Sequence, residues 1–441
     1  MSQPQDDRLL ERLRAGQPVL WTNPDYTPVE DPQAAADVAQ AQADWQSFAP
    51  LLAALWPELG ASGAIRSELI AVPGCREALA AAAPDLATLL VKGDHALPVA
   101  GSVKARGGVF EVLSTAVAQA RAAGLLAEGG DIATLAGPEA RAFFAKRRIA
   151  VGSTGNLGLS VGISARVLGY AATVHMSHDA KAWKVARLRD LGVEVVQHRS
   201  DYSTAVATAR DIAAHDPLTH FVDDESSALL FNGYSAAAAE LKDQLDAMGL
   251  AIGPERPLIL YLPCGIGGAP GGIAYGARGV FGADVHPFFV EPVQAPSALV
   301  QMRHGPGRET SVYELGLSNR TEADGMAVAT MSQLVAERMR RRLAGVFTVT
   351  DDDLFRWLAM ADAEGLRLEP SAASGFGGPQ MLEGTEAGRA FCAAHLAGRE
   401  AQAVHVVWTT GGAFLPEEIY QSHVAAGRSL GPAAGMQGDM T

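Results

Sequence analysis

The stretch from Ala172 to Val222, ATVHMSHDAKAWKVARLRDLGVEVVQHRSDYSTAVATARDIAAHDPLTHFV, decides the fold. Three short β-prone runs, Ala172–Met176, Val193–His198 and His220–Val222, alternate with two helix-length segments, Ala180–Leu191 and Ser203–His215. Strands separated by helices in this way must run parallel, because the helix carries the chain back to the edge where it started. The pattern extends in both directions. Ile149–Val151 precedes it, and Leu258–Leu262, Val285–Val290, Val346–Thr350 and Ala403–Trp408 follow it. The later runs are almost continuously apolar, as strands covered by helices on both faces must be. The expected fold class is therefore α/β, with mostly parallel sheets flanked by helices.

The region before Leu90 is Ala-rich and reads as helical, with Trp21–Pro24 as a turn and Asp31 opening a helix through Ala39 towards Pro50. His304–Arg308 and Gly375–Pro379 read as surface turns, and Ser332–Leu343 as an amphipathic helix. No repeat or low-complexity tract interrupts the chain, and composition marks no domain boundary. A length of 441 residues suits two or three folding units.

Composition narrows the function. With 48% hydrophobic and 19% charged residues the chain is that of a globular protein. A net charge of −14 argues against nucleic acid or an anionic membrane as partner, since both demand a basic surface. The densest basic cluster, Arg338, Arg340, Arg341 and Arg342, reads as a solvated helix face. Cys75, Cys264 and Cys392 are widely spaced and odd in number, which suits reduced thiols. Met1–Arg14 is polar and no apolar run reaches membrane-spanning length, so a cytoplasmic location is expected.

Four segments can carry chemistry. In Leu97–Gly108 a single lysine, Lys104, stands among small residues at a helix start, where an amine could reach an aldehyde; a solvated charge is the plainer reading. Ser153-Thr154-Gly155-Asn156 turns from strand to helix, presenting amides that attract an anion or merely cap the helix. Pro263–Gly272 follows an apolar strand with glycines that let backbone N–H groups converge on one phosphate. Pro270 stands where the dinucleotide spacing starting at Gly265 requires glycine, which disfavours a Rossmann site. Trp408-Thr409-Thr410-Gly411-Gly412 also leaves an apolar strand, as ligand loops of open α/β sheets do.

In this order the segments resemble the fold-type II pyridoxal-phosphate enzymes, whose fold is that of the tryptophan synthase β subunit, and in detail the bacterial D-serine dehydratase family. The likeness rests on GSVKARGG at 101–108, STGNLGLS at 153–160 and LPCGIGGAPGG at 262–272. It extends to Phe221–Ser226, Leu368–Ala372 and Thr410–Gly412 followed by Pro416–Glu418, and to Trp21–Pro24, Phe48–Pro50 and Ser67–Leu69 near the N-terminus. Ala269 departs from it, standing where the family usually shows another glycine.

The resemblance implies pyridoxal 5'-phosphate as cofactor, with Lys104 its Schiff-base lysine, Asn156 the partner of its ring hydroxyl, and Gly265, Ile266, Gly267, Gly268 and Ala269 its phosphate cradle. Thr410 would neighbour the pyridine nitrogen. A smaller domain at about 116–229 would pack on a larger one built from 1–115 and 230–441. The implied reaction is loss of the β-hydroxyl from D-serine, releasing an aminoacrylate that hydrolyses to pyruvate and ammonia. L-serine/threonine dehydratase, diaminopropionate ammonia-lyase and a non-catalytic cofactor-binding protein are the alternatives. Ser153 and Thr154 are expected to hold the substrate carboxylate. A D substrate turns its Cα hydrogen away from Lys104, and Asp223, Asp224, Thr154 and Tyr234 are the candidates to take it. Family analogy places a monovalent cation, K+ or Na+, near Glu291 or Glu369, and a monomer or homodimer is expected. The histidine pairs 175/178 and 215/220 lack a third ligand at zinc spacing and read as packing or surface residues.

Overall fold

The computed structural model describes residues 3–153, 155–178, 180–199 and 202–431. Within them eleven strands form two sheets: β1 (Leu20–Thr22), β2 (Leu69–Ala71), β3 (Thr88–Lys92), β4 (Arg148–Gly152), β5 (Ala171–Ser177), β6 (Glu194–His198), β7 (Thr219–Val222), β8 (Leu258–Pro263), β9 (Val285–Pro292), β10 (Gly345–Val349) and β11 (Val404–Trp408). The seven-stranded sheet runs β1-β10-β9-β8-β11-β3-β2, and the four-stranded sheet runs β6-β5-β4-β7. The central five strands of the first sheet and all four of the second are parallel, while β1 and β2 close the larger sheet as antiparallel edges.

The apolar runs are explained by the two faces of the large sheet. Leu258, Leu260 and Leu262 of β8 enter one core and Ile259 and Tyr261 the other, so a strand with period-two geometry has no solvent face to show. Each strand read from Ile149 onward is present, shifted at its ends by one or two residues.

The N-terminal region differs from its expected helical character. Trp21 lies in β1 opposite Val346 instead of in a turn, and β2 and β3 add two strands before residue 93. Runs of three to five residues are too short for periodicity to separate strand from helix. Asp31 does cap a helix, accepting from Ala34 N at 3.2 Å, and that helix continues through Pro50 to Leu55. Gly375–Pro379 is buried, not a surface turn. A Cβ at Gly378 would come within 2.2 Å of the Tyr261 ring, so the glycine lets this segment press onto the sheet. The arginine cluster is not a bare solvated face either: Arg342 bonds Asp31 at 2.5 Å, Arg340 meets Asp25 at 3.2 Å, and Arg338 lies 4.6 Å from the Phe231 ring centre.

A buried ionic cluster fixes the helix that begins at Lys104. Arg106 bonds Asp94 through Nε (2.7 Å) and Nη2 (2.8 Å) and Glu240 through Nη1 (3.0 Å), while Lys92 reaches Glu240 at 2.5 Å. Trp408 Nε1 donates to Asp94 at 2.8 Å, tying the same cluster to β11. Charges taken this far from water persist only when fully paired. The three cysteines are free and buried, and among the described residues no helix is long and apolar enough to cross a membrane.

Candidate active site

Loops leaving the carboxyl ends of parallel strands from both sheets converge on one cleft. From β4 come Ser153, Gly155 and Asn156; from β7, Asp224; from β8, Gly265–Ala269; from β11, Thr410. Lys104 enters from the turn after β3, at the first position of the helix Lys104–Ala122. That turn is tied to β11 by Val103 N donating to Thr410 O at 2.8 Å.

The Lys104 ammonium lies 3.3 Å from Asp224 Oδ2 and 3.5 Å from Oδ1. Its Nζ is 5.8 Å from the centre of the Tyr234 ring, which packs on Gly107; a Cβ there would lie 2.4 Å from Tyr234 Cζ. Tyr234 is fully buried, and burial pushes its hydroxyl well above the ordinary phenol range. It does not line the cleft.

The adjacent aspartates have separate fates. Asp223 accepts from Arg210 Nε at 2.7 Å and Nη2 at 3.0 Å; burial pushes its carboxyl up, but the arginine outweighs this and holds it below the usual carboxylate range. Asp224 faces the cleft, with Oδ1 so placed that a Cβ on Gly268 would come within 3.2 Å of it.

The glycine loop is held from three sides: Cys264 N donates to Val290 O (2.8 Å), Ser332 N to Ile266 O (2.9 Å) and Gly271 N to Gly267 O (2.7 Å). Gly267 has φ +109°, which a side chain rarely tolerates, and a Cβ on Gly265 would lie 2.9 Å from Gly325 O. The helix Gly268–Phe281 starts here, and its first amides have no acceptor within the helix. A backbone freed of side chains, opening on a helix N-terminus, fits a phosphate group, and the lysine across the cleft fits an aldehyde. Ala269 is buried in the core beside the loop. Burial pushes the Cys264 thiol well above its usual range, so it is no thiolate nucleophile.

Ser153 Oγ accepts from Gly155 N (3.2 Å) and Gly158 N (3.1 Å), shaping the start of the helix Asn156–Leu168. Thr154 lies outside the described residues. Asn156 Nδ2 donates to Glu369 Oε1 at 2.9 Å, and Ser371 Oγ donates to the same oxygen at 3.2 Å. Burial raises the Glu369 carboxyl, against the opposing pull of Lys184. Glu291 sits away from the cleft wall and accepts from Ala298 N (2.7 Å), Leu299 N (2.9 Å) and Ser297 Oγ (3.2 Å); burial pushes it up to about 8. Among the described residues no group of three or more His, Cys, Asp or Glu is placed to hold a metal ion.

Sequence reasoning missed Lys184 and Asp324, which pair at 2.7 Å behind Glu369. The two are far apart in the chain and belong to no motif, so no local signal announces them.

Comparison with known proteins agrees with this architecture. The family described as pyridoxal-phosphate dependent enzyme matches residues 73–392. A probable D-serine dehydratase of Rhizobium etli (strain CIAT 652) is 54% identical over 432 residues, covering 96% of each chain. One from Sinorhizobium medicae (strain WSM419) is 57% identical over 414 residues, covering 92% of this chain and 94% of its own. Among solved structures, Escherichia coli diaminopropionate ammonia lyase, in complex with an aminoacrylate-PLP azomethine intermediate, superposes with a TM-score of 0.69 at 20% identity, covering 93% of this chain and 98% of its own. The processed form of threonine deaminase isoform 2 from Solanum lycopersicum gives a TM-score of 0.63 at 19% identity, covering 94% and 97%. The fold is thus that of the type II enzymes, and the chain belongs to the pyridoxal-phosphate-dependent enzyme family, within the group of the probable D-serine dehydratases.

Proposed function

We propose that the protein eliminates water from D-serine, with pyridoxal phosphate bound in the cleft, to give pyruvate and ammonia. The observation that carries the reading is the meeting of Lys104 Nζ and the Asp224 carboxylate, 3.3 Å apart, in the same cleft as a glycine-lined helix start. The name carried by relatives more than half identical supports D-serine as the substrate.

In this reading Lys104 would hold the cofactor at its aldehyde, the amides of Gly265–Ala269 would hold its phosphate, Asn156 would donate to its ring hydroxyl, and Thr410 would stand beside its pyridine nitrogen. Bound there, pyridoxal phosphate supplies the electron sink that acidifies Cα–H and lets the β-hydroxyl depart. A hydroxyl at Thr410, in place of a carboxylate, would leave the ring nitrogen largely uncharged and so would favour elimination over transamination. Asp224 is the group that takes the Cα proton of the D isomer. Asp223 is unsuited to that task because Arg210 already engages both of its oxygens. Ser153, with Thr154, receives the substrate carboxylate at the helix start. Glu291 serves the helix at 297–304, and Glu369 orients Asn156. A smaller domain at 116–229 is supported by the four-stranded sheet, whose strands all come from 148–222.

Coupled assays of pyruvate and ammonia with each enantiomer test the proposal. D-serine is expected to turn over and L-serine to be inert. Preference for L-serine or for 2,3-diaminopropionate overturns the substrate assignment. Protein that takes up the cofactor, yet releases no ammonia from any amino acid, overturns catalysis itself.

A further inference from the structure

We infer that Lys184 is a positioning residue of the site, acting through Asp324 and Glu369 to fix which end of the Asn156 amide faces the cleft. The inference rests on the proposed cofactor role of Asn156.

Lys184 belongs to the helix Ala182–Asp190 beside the smaller sheet, yet its side chain is only 2% exposed. It crosses to Asp324, which lies on the cleft wall at the start of the short 3-10 helix Asp324–Met326, far along the chain. A Cβ on Gly155 would lie 3.4 Å from Lys184 Nζ, ordinary contact distance, so the ammonium sits against the turn that leads into Asn156. Burial lowers the basicity of this amine, but Asp324 and Glu369 outweigh it and hold Lys184 protonated. The result is a buried cation paired with Asp324 and lining one pocket with Glu369, and both carboxylates also line the cleft.

Glu369 Oε1 accepts from both Asn156 Nδ2 and Ser371 Oγ, so the Asn156 amide presents its NH2 group to this carboxyl. One hydrogen serves Glu369, leaving the second for an acceptor in the cleft such as a ring oxygen. If Glu369 gains a proton it becomes a donor, and the amide can turn its oxygen towards it, removing that second hydrogen from its place. Burial favours the protonated form of Glu369, and Lys184 opposes it. The charged groups facing this carboxylate are Lys184 and Asp324; Lys181, Glu322 and His423 line a further pocket on the other side of Asp324 and Glu369.

The test uses holoenzyme carrying Lys184→Met, Lys184→Arg, Asp324→Asn and the double variant Lys184→Met/Asp324→Asn. Three readouts serve: cofactor dissociation constant, pH dependence of the bound-cofactor absorbance, and kcat and KM for D-serine. Lys184→Met is expected to weaken cofactor binding about tenfold and to move the acid transition of the absorbance to higher pH by about one unit, the scale on which a lost buried charge partner acts. Lys184→Arg is expected to restore both to within about threefold and a few tenths of a unit, respectively. The double variant is expected to lie closer to wild type than Lys184→Met, because Asp324 no longer stands unneutralised. Unchanged affinity and pH dependence in Lys184→Met overturn the inference, as do losses that simply add in the double variant. If Lys184→Met does not fold, Asp324→Asn and Lys184→Arg decide it: wild-type behaviour in Asp324→Asn together with failure of Lys184→Arg overturns it. Should wild type prove inert towards D-serine, the affinity and absorbance readouts still judge Lys184.

Discussion

Both sheets contribute to the cleft, the larger one most of its wall, but they are built to different standards of burial. The central strands of the larger sheet, β8 to β11, are buried along their whole length, whereas β6 and most of β7 in the smaller sheet are partly exposed. Ionic contacts divide in the same way. Beneath Lys104 the Arg106, Asp94, Glu240 and Lys92 cluster is shut off from water, while the Arg148–Glu194 pair of the smaller sheet has side chains 41% and 58% exposed. Local stability follows burial, so the side that carries Lys104 is the stiff wall and the side that carries Asn156 the compliant one.

The largest expected effect comes from removing the reactive amine on the stiff wall. Lys104→Ala is expected to lose at least about a thousandfold in kcat, with no loss of melting temperature, and to lack the near-visible absorbance of bound cofactor. Next comes the pair that separates Asp224 from Asp223. Asp224→Asn is expected to lower kcat for D-serine by about 10² to 10³-fold, the range of general acid-base catalysis, and Asp223→Asn by less than about tenfold. Equal losses would erase the distinction drawn from Arg210.

Stability sharpens the contrast between the walls. Glu240→Gln, by leaving Arg106 and Lys92 short of a partner in the interior, is expected to cost about 3–5 kcal/mol in denaturant unfolding. Burial alone would push the Glu240 carboxyl up, but Arg106 and Lys92 hold it down at about 2. A depressed folded-state value means its contribution is present above the ordinary value of 4.5 and fades as pH falls from there towards 2. Wild type should therefore lose stability across that acid window more steeply than Glu240→Gln. The smallest effect is expected on the compliant side, where Glu194→Gln breaks a solvent-screened pair and should cost less than about 1 kcal/mol. A larger cost there would mean that the two walls are equally rigid.

Much of this organisation is legible in the sequence for a physical reason. Strands covered on both faces announce themselves as apolar runs, and a phosphate cradle demands glycine where backbone must turn freely, as at Gly267. Lys104, the Ser153–Asn156 turn and the glycine loop could be named for that reason. What escaped depends on contacts that no local pattern encodes. Asp223 and Asp224 are chemically identical neighbours, told apart by Arg210 on the preceding helix and by Lys104 in the cleft. Lys184 looks like any lysine of a surface helix until Asp324 arrives from the other side of the cleft. Strands β1 to β3 escaped because three to five residues carry too little periodicity.

The three-residue edges of the larger sheet bear on how the molecule behaves in a crowd. A parallel sheet left open would offer unsatisfied backbone groups to any passing extended chain, and short strands of opposite polarity leave very little for such a chain to grip. Residues 20–22 thus act as a stopper on β10. Shortening the protein past them would uncover a mostly apolar ribbon and invite fibrous self-association without disturbing any residue that touches substrate.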